Sequence, residues 1–258
     1  MRTPIDSVKI LTALAAAAGA MALVATALPS ASAGTISATL TRLPTSQTSP
    51  VDISAGATDW IYYYGVTTPS QADYKSPGPT SFSTTLTPET VPASGGYGPY
   101  TSGLGQTTTN LYLSFSGGTP DSSATADQNS WYAMAMQMTQ TLLAPSEIVK
   151  LYLRNYVTNS TFSATLSSGG SYSATNVPLP TTGNSSFGLL TLNITGAVGD
   201  VLTFTDYAQA SAIHANGNAS VDIQAASATV APEPAALSLM SLAGLGILLV
   251  GRRRGKPS

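Results

Sequence analysis

His214 is the only histidine of this chain, and cysteine is absent, so nucleophilic catalysis has few ways to begin. A Ser-His-Asp hydrolase would need His214 as base, one of many serines as nucleophile, and Asp206 or Asp222 to orient the ring. No Gly-x-Ser-x-Gly elbow accompanies them. The residues after His214, Ala215-Asn216-Gly217-Asn218, read as a hairpin turn, which makes it a solvated turn histidine. Without cysteine there is no thiolate nucleophile, no zinc-thiolate site and no disulfide framework.

Glycoside hydrolysis needs two carboxylates on the order of 5–9.5 Å apart across a cleft. Asp200 and Asp206 flank one predicted strand, and Asp121 and Asp127 share one loop. Asp200 follows Gly199 and Asp121 follows Pro120, ordinary settings of turn aspartates. Glu89 and Glu147 are the only glutamates between the two ends. The reading is therefore a protein without catalytic residues, with a secreted hydrolase as the lowest-ranked alternative. Oxygens of Asp121, Asp127 and Asn129 form the one candidate calcium loop, although it lacks the EF-hand pattern. No cofactor is expected, since no phosphate loop, zinc spacing or dinucleotide fingerprint occurs.

Aromatic residues are the better lead. Sugars stack their C–H faces on Trp and Tyr while their hydroxyls bond nearby Asn, Gln or Asp. Tyr62, Tyr63, Tyr64, Tyr74 and the pair Trp131-Tyr132 are candidates. The preferred glycan contacts are Tyr97 and Tyr100, in the loop Ser94-Gly95-Gly96-Tyr97-Gly98-Pro99-Tyr100. Trp60 and Trp131 read instead as core anchors, because large aromatics bury about 150–250 Å² each.

The elements that must position these residues are strands. From Gly34 to Val230 the apolar pattern has period two. Trp60, Tyr62 and Tyr64 alternate with Ile61 and Tyr63. Val149, Leu151, Leu153 and Val157 alternate with Lys150, Tyr152, Arg154 and Tyr156. Phe162, Ala164 and Leu166 alternate with Thr and Ser, and Val221, Ile223 and Ala225 with Asp222 and Gln224. Each run is short and bounded by Gly, Pro, Asn or Ser, so each reads as a half-buried strand with one wet face. The stretch from Trp131 to Val157 has helix formers, but Ala144-Pro145-Ser146 splits it and two strands fit better. Pro77 to Gly105 reads as long surface loops, with room for edge strands around Phe82 and Leu86. Nine to eleven antiparallel strands with turns between them predict an all-β, two-sheet, jelly-roll-like sandwich.

Only 9% of the chain is charged, against about 25% in an ordinary globular domain; solubility rests on hydroxyls instead. Between Gly34 and Ala231 the basic residues are Arg42, Lys75, Lys150 and Arg154, against ten acidic ones, a balance of −6. Phosphate neutralisation needs clustered cations, so nucleic acid is not an expected partner.

The two ends read as addresses. Arg2 and Lys9 precede an apolar run from Ile10 to Leu28, closed by Ala31-Ser32-Ala33. This is the grammar of a signal peptide over residues 1–33, with signal peptidase cutting between Ala33 and Gly34. Residues 34–230 are then the exported domain. At the other end, 231–258, Pro232-Glu233-Pro234 is followed by an uncharged stretch, Ala235 to Val250, and by Arg252, Arg253, Arg254 and Lys256. That stretch is at the short limit for crossing a bilayer, where roughly 17–25 residues are typical. The arginines would stay cytoplasmic and halt transfer. The two prolines keep the tripeptide extended ahead of the helix.

This carboxyl-terminal arrangement resembles the PEP-CTERM sorting signal. The resemblance implies recognition of Pro232-Glu233-Pro234 by an exosortase, a membrane-embedded processing enzyme, and export by a bacterium that makes exopolysaccharide. The expected destination is the cell surface or biofilm matrix, with the carboxyl-terminal helix holding the protein at the inner membrane transiently or permanently. The expected role is a structural component associated with exopolysaccharide, with a carbohydrate-binding module as the alternative. The central region resembles the galactose-binding-like jelly-roll modules of such proteins. Its likeness lies in Asp59-Trp60 with Tyr64-Gly65, Phe115-x-x-Gly118-Thr119-Pro120, Lys150 to Leu153, Thr161 to Ser167 and Val221 to Ala226.

Overall fold

The computed structural model describes residues 33–44, 49–64, 72–97, 100–101, 105–107, 111–126, 130–177, 185–216 and 219–231. The expected signal peptide and the whole sorting signal beyond Ala231 lie outside the described residues. Within them no helix is long and apolar enough to cross a membrane.

The protein is all-β, a β-sandwich of mainly antiparallel sheets. The described residues form nineteen strands, numbered here in chain order, more than expected because several connections pair over only two or three residues. One main sheet has seven strands in the order β1 (Thr35–Leu43), β17 (Ser185–Thr195), β14 (Ser146–Tyr156), β19 (Ser220–Val230), β3 (Asp59–Tyr63), β4 (Ala72–Lys75) and β10 (Gly118–Thr119). The other has five, in the order β16 (Ser171–Val177), β15 (Ser160–Leu166), β18 (Val201–Ala208), β13 (Ala135–Thr141) and β5 (Thr87–Pro88). From β13 onward the chain passes repeatedly from one sheet to the other, so the five-stranded sheet is completed only by β18 and the seven-stranded sheet by β19, and long-range pairing holds the fold.

The core between these sheets follows the alternation. Val149, Leu151, Leu153, Leu190, Leu192 and Ile194 come from one side, and Met136, Met138, Phe162, Leu202 and Phe204 from the other. The split of 131–157 at Pro145 occurs as expected, between β13 and β14. Glu147 fixes that connection. Its carboxylate accepts the Gln140 side-chain N–H at 2.7 Å and the backbone N–H groups of Leu143 and Ala144.

Three expectations need correction. The single wet face holds for only part of the seven-stranded sheet: Lys150 and Asn193 stay exposed, but the region around β3 is covered. All five residues of β3 are buried, because its outer face carries a second apolar layer. There Trp60 and Tyr62 pack with Phe115, Leu113, Leu111 and Ile53. These come from a small sheet of β11 (Ser123–Ala126), β9 (Leu113–Ser116) and β2 (Val51–Asp52) and from its flanks; β2 and β9 run parallel. Tyr62 and Tyr63 are thus core residues, not surface contacts.

The alternation in β19 also breaks. Its pairing with β14 shifts at a bulge that leaves Gln224 without an opposite residue. Val221 and Ile223 face the main core, Ala225 faces the second layer, and Ala226 and Ala228 return to the main core. One extra residue reverses the parity, and the Gln224 carboxamide oxygen accepts the Leu111 N–H at 2.8 Å.

Finally, the connection around His214 is not a hairpin turn but a short helix, α1 (Ala210–Asn216). Ala210 and Ile213, three apart, are both buried beneath it, the spacing at which two helical residues share a face.

Candidate functional site

The five-stranded sheet has no second apolar layer of the kind that covers β3 in the seven-stranded sheet. In β15 the buried residues are Ser160, Phe162, Ala164 and Leu166, and in β18 they are Leu202, Phe204, Thr205, Asp206 and Ala208. The residues between them point outward, and Thr205 belongs to the same outer row by alternation although its neighbours cover it. Register places them in rows across the strands. One row is Ser171, Thr165, Thr203 and Thr139; the next is Ser173, Ser163, Thr205 and Gln137. Neighbouring strands are about 4.8 Å apart, so the hydroxyls stand at a regular spacing on an uncharged surface. Within it the Gln137 side-chain N–H donates to the Thr205 hydroxyl at 3.3 Å.

A third row, Thr161, Tyr207 and Ala135, runs into a groove of about 340 Å³. Its apolar lining is Val91, Pro92, Tyr207, Ala208 and Ala210; Ser94, Thr161, Thr175, Gln209 and Ser211 supply hydroxyl, amide and main-chain groups. None of these side chains carries a charge. One wall is β6 (Thr90–Val91), paired with β7 (Tyr100–Thr101), and the other is the entry to α1. The Gln209 N–H donates to the Thr158 hydroxyl at 2.9 Å, which fixes that wall to the β14–β15 connection. Uncharged ring-and-hydroxyl linings of this kind suit a neutral, hydroxyl-rich ligand, and pockets of about 300–1,000 Å³ are the ordinary size for small-ligand sites.

The predicted contacts Tyr97 and Tyr100 lie beside this groove without lining it. Tyr97 closes the Gly95-Gly96 turn through paired backbone hydrogen bonds with Ser94, both 3.1 Å, and Tyr100 stands opposite Val91. Both rings are half-buried and pack toward the main core. The groove is lined by their pairing partners, Ser94 and Val91. Tyr207, the groove's aromatic residue, was missed by the sequence reading. Its signal was the Thr203, Thr205, Tyr207 alternation opposite Leu202, Phe204 and Asp206.

The candidate acids are dispersed. Asp200 sits in a turn, as expected, where the Ser168 hydroxyl and the Ala197 N–H bond it at 2.6 and 2.8 Å and hold its carboxyl below the ordinary value. Asp206 does not flank its strand but lies inside β18, with no exposure; burial pushes it well above the usual carboxylate range. Asp222 is equally buried and pairs with Arg154 at 3.0 Å, and the Arg154 guanidinium also donates to the Ser185 hydroxyl. Both aspartates are sealed in the interior, Asp206 without exposure and Asp222 tied to Arg154. Of the calcium loop, Asp127 and Asn129 lie outside the described residues. Asp121 instead stands next to Asp73, to whose carboxylate its backbone N–H donates at 2.9 Å. Among the described residues no group of three or more His, Cys, Asp or Glu is placed to hold a metal ion.

Compared with known protein families, with curated proteins and with solved structures, the chain matches none.

Proposed function

We propose that this chain is an exported, non-catalytic surface or matrix protein whose jelly-roll-like sandwich holds neutral extracellular polysaccharide on the outer face of its five-stranded sheet. The observation that carries the reading is the uncharged Ser, Thr and Gln face that ends in the Tyr207 groove. A polysaccharide presents repeated hydroxyls and apolar ring faces. It is matched by repeated hydroxyls beside a tyrosine, whereas a phosphate or an acidic chain would need cations.

Export is the second element of the proposal, and its support comes from both ends. Gly34, the residue after the expected signal-peptidase cut, is buried, and β1 begins at Thr35. At the other end β19 stops at Val230 and the Ala231 N–H still donates to the Ser146 carbonyl at 2.9 Å. The Pro232-Glu233-Pro234 tripeptide thus begins one residue past the sandwich. In this reading signal peptidase and an exosortase are the processing partners, and the apolar stretch with Arg252, Arg253 and Arg254 is the membrane stop. Nucleic acid is not a partner.

The test is retention of the protein on the producing organism's own extracellular polysaccharide. Tyr207→Ala is expected to lower retention about tenfold, in line with losing one well-placed aromatic contact worth about 1–2 kcal/mol. Tyr97→Ala should change it far less. Equal retention of wild type and Tyr207→Ala would sink the assignment of the groove, and no retention of the wild type would sink the polysaccharide reading.

A further inference from the structure

Asp73 presents a physical anomaly on the far side of the molecule from the groove-bearing sheet's wet face. It lies in β4 opposite Tyr62, with no exposure. Its Oδ1 accepts the Asp121 N–H at 2.9 Å, but its Oδ2 is sealed from solvent and has no hydrogen-bond donor among the described residues. Buried carboxylate oxygens are nearly always bonded, and an exception calls for a counter-ion, a proton or a water.

The surroundings make the anomaly sharper. Asp121 brings a second carboxylate close enough for its charge to act on Asp73, and the Tyr64 hydroxyl feels both. Burial and that neighbouring charge push the Asp73 carboxyl up to about 6 against the pull of its one hydrogen bond. Lys75, two residues along, is committed elsewhere: its ammonium donates to the Ala57 and Thr58 carbonyls at 3.0 and 2.7 Å. Neither carboxylate forms a salt bridge with a described lysine or arginine.

The turn bearing Asp121 is also held in place. The Ser76 N–H donates to the Gly117 carbonyl at 2.8 Å, and β10 pairs with β4. At Gly118 a Cβ would come within 2.5 Å of the Asp121 carbonyl oxygen and 2.7 Å of the Trp60 ring, so only glycine fits. The Asp121 turn is thus held against the Asp73 carboxylate through its backbone, which keeps the two acidic residues neighbours.

We propose that Asp73 and Asp121 hold a divalent cation, Ca²⁺ in preference to softer metals, which clamps the 117–122 turn to β4. The donors are oxygens only, the set that hard cations take, with water and main-chain carbonyls completing the six to eight ligands typical of Ca²⁺. The pairing differs from the loop of Asp121, Asp127 and Asn129 expected from sequence, and it does not depend on the polysaccharide reading.

The experiment is calorimetric titration of CaCl₂ into the full chain, purified in detergent and stripped with EDTA, together with thermal unfolding. One Ca²⁺ per chain is expected. The unfolding midpoint should rise by roughly 5–10 °C at about 100-fold excess over Kd. Asp73→Asn should abolish both responses, and Asp121→Asn, at an exposed position, should weaken affinity at least about tenfold. Asp200→Asn, in a turn of another region, should leave them unchanged. If Asp73→Asn fails to fold, Asp121→Asn alone decides. The proposal is overturned if the wild type shows no saturable binding up to about 10 mM, beyond the range of weak extracellular Ca²⁺ modules, or if both variants bind like wild type.

Discussion

The two main sheets obey the same sequence rule and meet different fates. In β15 and β18 the alternate residues are mainly Thr and Ser, with Tyr207, and all but the covered Thr205 keep some exposure. In β3 the alternate residues are Trp60 and Tyr62, and they are buried in a second layer against Phe115 and Leu113. Period two says only that two faces differ. What decides exposure is whether the second face offers enough apolar area to attract a cover. An aromatic pair worth about 150–250 Å² per ring does so; a row of hydroxyls does not. The seven-stranded sheet is therefore the structural centre, and the five-stranded sheet keeps a surface that is free to bind.

The largest test of this contrast is Trp60→Ala against Thr203→Ala. The Trp60 ring lies 4.7 Å from that of Phe115 and is 1% exposed. Truncating it should cost about 3–5 kcal/mol through lost contact and an unfilled cavity. Thr203, on the outer face, should change stability by no more than about 0.5 kcal/mol. Chemical denaturation of both variants measures the difference. Similar midpoints would mean that the second layer adds nothing and that β3 behaves as an ordinary one-sided strand.

That contrast also marks how far the sequence is readable. The sandwich, the strand pair split at Pro145 and the core side of β14 and β15 follow from alternation, because each depends on local pattern. The second layer does not. Its members Trp60, Leu111, Tyr152 and Phe187 lie far apart in the chain and meet only through topology. The bulge at Gln224 escapes for a similar reason, since Val221 to Ala225 alternates perfectly well without it. At the candidate site the hydroxyl strands were legible and the groove was not. Its walls join the β6 loop, β15 and α1, three segments with no common pattern. Tyr97 and Tyr100 drew attention because glycines beside an aromatic suggest a loop, yet their rings turn back toward the core.

A second, smaller test concerns the buried acid under the outer layer. The Asp73 carboxyl titrates at about 6 in the folded protein and near its ordinary value, about 3.9, when unfolded. The folded state then holds the proton more tightly, so stability falls as pH rises from about 4 to about 6 and stays low above that. In chelator, Asp73→Asn removes this loss. After a discount for solvent screening, it should be more stable than wild type by about 1–2 kcal/mol at pH 7.5 and should converge with it near pH 3.5. Denaturation across pH measures the gap. A gap independent of pH would show that Asp73 is not the group responsible.

The smallest expected effect lies where the chain crosses from one sheet to the other. Val157 extends the apparent alternation of β14, yet it lies outside the strand and takes φ of 55°, the left-handed region that a β-branched residue avoids. The cause is the short span available. The three residues 157–159 must carry the chain from the end of the seven-stranded sheet into β15 of the other. Both flanks are pinned: the Ser160 hydroxyl bonds the Asn155 carboxamide at 2.8 Å, and Thr158 accepts the Gln209 N–H. The strain is imposed by the crossover, so a residue that tolerates this conformation should relieve it. Val157→Asn is expected to raise stability by about 1 kcal/mol, and the unfolding midpoint by about 2–4 °C. Val157→Ile keeps the branching and should bring no gain. A stabilised Ile variant, or a destabilised Asn variant, would mean that the half-buried side chain contributes more through packing than its backbone loses through strain.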